Sequence, residues 1–93
     1  RLGPPVAPPA NLICVGKNYA DHAAEFDGKP PTEPILFAKA PTTLVGPHDP
    51  IRIPDGFTDV DAEAELAVVI GAPAHRVAEA DALRHVAGYT ALN

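Results

Sequence analysis

Asp61-Ala62-Glu63-Ala64-Glu65 places a carboxylate at every second position of a run that alternates between acidic and apolar residues from Val60 onward. On a strand, residues two apart project to one face and lie about 6.6 Å apart along the chain. Three like charges on one face repel, and a hard divalent cation relieves that repulsion; Mg2+ takes oxygen ligands at about 2.0–2.1 Å. The alanines leave room beside the carboxylates. The run also continues into the wholly apolar residues 66–70, as expected of a strand that enters a core. The competing reading of any single Glu-x-Glu is a solvated strand face.

Within residues 18–25 (NYADHAAE), His22 and Glu25 are three apart and so neighbours on a helix. A carboxylate beside an imidazole fixes its tautomer and raises its basicity, the arrangement wanted in a general base. A charged pair on a surface helix is the alternative, and Asp21 reads as solvated. Lys39 closes an apolar stretch and precedes Ala40-Pro41-Thr42-Thr43. A cation there either holds a substrate carboxylate or oxyanion or snorkels from a strand end. Lys17, in a Gly-Lys-Asn turn, is open between the same two readings. Cys14 sits in an apolar run and reads as core rather than nucleophile. His48, His75 and His85 have no ligand-like spacing and read as surface, and Gly16, Gly46 and Gly71 read as turn residues.

The elements that position these groups are short. Twelve prolines in 93 residues argue against long helices in the first half. Residues 1–10 are a proline-rich extended lead-in, and residues 11–93 form the body. Strands are predicted at 11–15, 35–38 and 51–53, with a further segment at 42–45 and a two-turn helix at 19–26 capped by Asn18. The longest element is a strand over 60–70. A helix follows at 78–86, ended by Gly88, and another strand starts at Tyr89. The expected class is α+β, mostly β.

Composition narrows the function. With Asp+Glu 12 against Lys+Arg 7 the formal net charge is −5, and no basic run exists to bind phosphates, which excludes nucleic acid as a partner. No apolar stretch approaches the roughly 20 residues that span a bilayer, so no membrane partner is expected. No signal-peptide pattern is visible. The single Cys14 suits a reducing, cytoplasmic setting. A chain of this length buries only about 60–65% of its unfolded surface, so its core is expected to be marginal. Arg1 at the start and the lack of methionine are expected of a processed or engineered chain, or of part of a longer one.

Taken together, the segments resemble one family. Residues 13–25 (ICVGKNYADHAAE) resemble the "CVG-NY-DHA-E" segment of the fumarylacetoacetate hydrolase family, and residues 36–42 (LFAKAPT) its "LF-K-PT" segment, continued by residues 44–47 (LVGP). Residues 60–71 (VDAEAELAVVIG) are similar to its "VD-E-ELAVVIG" strand, and residues 86–90 with Asn93 to the start of "VAGYT--NDVSARD". The order and spacing match along nearly the whole chain after the lead-in. The resemblance implies a mixed β-roll, incomplete in this chain, usually forming a homodimer. It implies Mg2+ or Mn2+ in a carboxylate site with Glu63 and Glu65 as two ligands, the third being the aspartate expected just after Asn93. His22 and Glu25 would lie on a short helix closing over substrate, with His22 activating water or abstracting a proton. Lys39 would bind the anionic end of a 2-oxo acid. The implied chemistry is cleavage, decarboxylation or isomerisation of 2-oxo acids and their enols through a metal-stabilised enolate. Val15-Gly16 stands where the classical hydrolases have an extra metal aspartate, so the resemblance is to the acylpyruvase, decarboxylase and isomerase branch. The competing expectation is a truncated, catalytically inactive fragment that only self-associates or binds a partner.

Overall fold

The computed structural model describes residues 2–6, 11–19 and 31–93. The chain divides into two compact units, Arg1–Ile51 and Arg52–Asn93. The described elements are mostly strands with one short α-helix, an α+β arrangement dominated by β.

In the first unit β1 (Leu12–Gly16) pairs antiparallel with β2 (Ile35–Lys39), Leu12 facing Lys39 and Gly16 facing Ile35. Both are short apolar runs rich in branched side chains, which suit a pleated surface. Leu12 and Cys14 are half-buried, whereas Ile13 and Val15 are exposed. A 3-10 turn, Pro41–Thr43, follows β2, with proline at the start where its missing N–H costs nothing. The Thr43 N–H and hydroxyl both donate to the Ala40 carbonyl, at 2.9 and 2.7 Å. In the next turn the Gly46 N–H donates to Asp49 Oδ2 at 3.1 Å, and the Asp49 N–H returns to the Gly46 carbonyl at 3.0 Å. Gly46 is buried, and any side chain there would collide with the Leu2 carbonyl oxygen. Glycine thus allows the lead-in to lie against this turn.

In the second unit β3 (Glu65–Ile70) pairs antiparallel with β4 (Val86–Leu92), from Glu65 opposite Leu92 to Val69 opposite Gly88. The register then shifts, Ile70 facing Val86, so that Ala87 is an extra residue on β4. Such a bulge bends a strand and suits a neighbouring glycine. Gly88, expected to stop a helix, instead lies inside β4 beside this bulge. The helix expected over 78–86 is α1 (Glu79–Ala82) followed by a tighter 3-10 turn, Leu83–His85. It ends where the β-branched Val86 enters the ladder. The Gly71 N–H donates to the His85 carbonyl at 2.8 Å, closing the loop between the strands.

A Cβ on Gly71 would lie 2.5 Å from the Ala87 Cβ, a group with no rotamer to give way. Gly71→Ala should therefore destabilise the β3–β4 hairpin by about 1–3 kcal/mol, the usual cost of overpacking. The loss should appear as faster amide exchange along β3 and β4. Gly88→Ala serves as the control, because nothing lies within 4 Å of its added Cβ.

The long strand expected over 60–70 is corrected, since it begins only at Glu65. Residues 60–64 and 51–53 carry no regular structure. A strand needs a partner for its N–H and C=O groups, and β4 supplies paired residues only as far as Leu92. Burial also differs from the expectation of a core strand. Ala67 and Val69 are half-buried, but Leu66 (61% exposed), Val68, Ile70 and Tyr89 form an exposed apolar face on the other side of the hairpin. Among the described residues no side chain is fully buried.

Candidate active site

Glu65 opens β3, and its position opposite Leu92 fixes its backbone and leaves it half-buried. Glu63 stands two residues earlier, outside the strand and exposed. Its backbone is nevertheless tied down, because the Glu63 N–H donates to Asn93 Oδ1 at 2.8 Å. One further step of the register that pairs Glu65 with Leu92 sets Asn93 alongside Ala64. The Asn93 side chain thus supplies an acceptor just past the last backbone pair of the hairpin.

The expectation of three carboxylates on one strand face is corrected by the late start of β3. Among the described residues no three of His, Cys, Asp or Glu come together as a metal-holding group, so Asp61 does not join Glu63 and Glu65. Glu63 and Glu65 are hard oxygen donors, a type that suits Mg2+ or Mn2+ and not a soft thiolate-seeking metal. Asp55, Asp59 and Asp61 are exposed on the segment that precedes these two residues.

Lys39 ends β2 in the first unit, exposed, with Leu12 opposite. The turn begins immediately after it, at the Ala40 carbonyl that accepts both Thr43 donors. Lys17 adopts a left-handed backbone (φ 52°) directly after β1. Non-glycine residues hold such a conformation only where neighbouring structure imposes it. This turn lines an open cleft with Gly16, Asn18, Thr32 and Glu33. Cys14 is a free, half-buried thiol opposite Phe37. His48 and His75 are exposed as expected. His85 corrects the surface reading, being half-buried, its Nδ1 shielded and without a hydrogen-bond partner among the described residues. His22, Glu25 and Asp21, with the helix expected over 19–26 apart from Tyr19, lie outside the described residues. In the sequence Asn93 only completes a motif; its contact with the Glu63 backbone exists because the hairpin brings residues 30 apart together.

The described elements are mostly strands, with the Glu-Ala-Glu run leading into the start of β3. Residues 11–93 match the family described as fumarylacetoacetate (FAA) hydrolase, C-terminal, and the chain belongs to the fumarylacetoacetate hydrolase family. It is 50% identical over 86 residues to the mitochondrial oxaloacetate tautomerase of Xenopus laevis, covering 92% of this chain and 27% of that protein. It is 50% identical over 86 residues to the homoprotocatechuate catabolism bifunctional isomerase/decarboxylase of Escherichia coli, covering 92% of this chain and 20% of that protein. A human mitochondrial oxaloacetate tautomerase is 45% identical over 86 residues, covering 92% of this chain and 27% of that protein. The chain thus spans about a quarter of the length of these relatives, which are named enzymes of the branch the motifs resemble. No solved structure gives a significant match. No helix among the described residues is long and apolar enough to cross a membrane.

Proposed function

We propose that this chain is part of a divalent-metal-dependent enzyme that acts on small 2-oxo acids or their enols, with oxaloacetate or an acylpyruvate as the substrate class. The observation that carries this reading is the Glu63–Glu65 pair, one member fixed by the β3–β4 ladder and the other by Asn93, within a family match that runs over residues 11–93. Glu63 and Glu65 hold Mg2+ or Mn2+, which supplies Lewis-acid polarisation of the 2-oxo group when bound. His22 takes the proton that leaves the carbon beside the keto group, or the proton of an attacking water, and Glu25 holds its imidazole in the basic tautomer. The Lys39 ammonium holds the substrate's anionic end. The mixed β-roll and the homodimer belong to this proposal, as does residence in the cytoplasm, beside the mitochondrial names of two relatives.

The direct functional test is a chimaera in which the matching 86 residues of the Xenopus laevis relative are replaced by those of this chain. Enol–keto conversion and decarboxylation of oxaloacetate, and cleavage of an acylpyruvate, are followed with Mg2+, with Mn2+ and after chelation. The proposal expects turnover of at least one substrate that chelation removes and metal restores. A folded chimaera inactive on all three would contradict it.

The chain by itself should behave differently. Two carboxylates leave an octahedral Mg2+ dependent on water for most of its shell, so binding should be weaker than micromolar. The exposed face of Leu66, Val68, Ile70 and Tyr89, on a hairpin whose outer edges pair with no further strand among the described residues, should drive self-association. Sedimentation should show dimers or larger species. A clean monomer with micromolar Mg2+ affinity would overturn both expectations.

A further inference from the structure

Glu63 lies in a stretch without regular structure, yet a metal site needs its carboxylate at a fixed place relative to Glu65. The Glu65 backbone is set by its pairing with Leu92. The bond from the Glu63 N–H to Asn93 Oδ1, at 2.8 Å and across 30 positions of sequence, ties Glu63 to the residue that follows β4. The two glutamate backbones are therefore tied to adjacent residues, Leu92 at the end of β4 and Asn93 just after it.

We propose that Asn93 is a positioning residue for the metal site, holding the Glu63 backbone so that its carboxylate stays in range of the cation shared with Glu65. The inference rests on the proposed role of Glu63 and Glu65 as donors. Asparagine suits this role because its short side chain presents a neutral amide oxygen, an acceptor that adds no charge next to the acidic run. Partners one step removed from a metal commonly set ligand orientation, and their loss weakens metal binding by roughly 10–100-fold. An exposed bond such as this one belongs at the lower end of that range.

The test compares the 15N-labelled chain with Asn93→Ala, Asn93→Asp and the double variant Glu63→Gln/Glu65→Gln. In Asn93→Ala the Glu63 amide should exchange roughly three- to tenfold faster, while amides inside β3 keep their protection. Mn2+ affinity should fall roughly tenfold. Asn93→Asp retains an acceptor oxygen at the same place and should keep the Glu63 amide protected. The inference is overturned if Glu63 exchange is unchanged in Asn93→Ala, if Asn93→Asp behaves like alanine, or if the amide is released without any loss of Mn2+ affinity. The double glutamine variant separates the two levels. If it leaves Mn2+ affinity untouched, the donor assignment fails, and the positioning role resting on it fails too, even where amide exchange confirms the bond. If it abolishes binding while Asn93→Ala does not weaken it, only the positioning inference fails.

Discussion

Replacing His22 with alanine in the active chimaera is expected to lower kcat by roughly 10²–10⁴-fold, the range for removal of a general base. The proposed tautomerisation and C–C cleavage would require a proton to leave carbon or water, and His22, three residues from Glu25, is the group whose type and spacing suit that transfer. Metal affinity should be unchanged, because His22 is not assigned as a donor. Steady-state kinetics alongside Mn2+ titration distinguish the outcomes. Unaltered turnover would make His22 a surface residue, and a collapse of metal binding would make it a ligand.

A second large effect is expected from the carboxylates. Glu63→Gln or Glu65→Gln should each weaken Mn2+ binding and lower turnover by more than the roughly 10–100-fold seen when an outer partner of a metal is lost. A glutamine amide keeps the shape but removes the charge that offsets the cation. Asp61→Asn, two residues before Glu63 in the same alternating run, should change both by less than about threefold, since Asp61 is not one of the proposed donors. Equal responses at all three positions would show that the segment acts only through its summed charge.

The legible parts of this chain are those in which one short apolar run meets another. Residues 11–15 and 35–38 read as strands and pair as β1 and β2, displaced by a residue at an end. The strand over 60–70 reads too long because alternation marks which residues suit a strand, not whether a partner exists to pair with them. Gly88 reads as a stop because a bulge glycine and a helix-ending glycine look alike until the register is known. Glu63 and Glu65 stand out by charge and spacing. Asn93 does not, because its contact joins residues 30 apart in sequence, a distance at which local pattern carries no signal.

Whether Glu63 and Glu65 hold one divalent cation is tested most directly by paramagnetic line broadening with Mn2+ in the isotopically labelled chain, which detects weak binding residue by residue. Substoichiometric Mn2+ should broaden the amides of residues 63–65 and of Leu92 and Asn93 first, and Glu63→Gln/Glu65→Gln should remove the effect. Broadening spread evenly over Asp55, Asp59 and Asp61, or broadening that survives the double substitution, would contradict a shared cation at this pair.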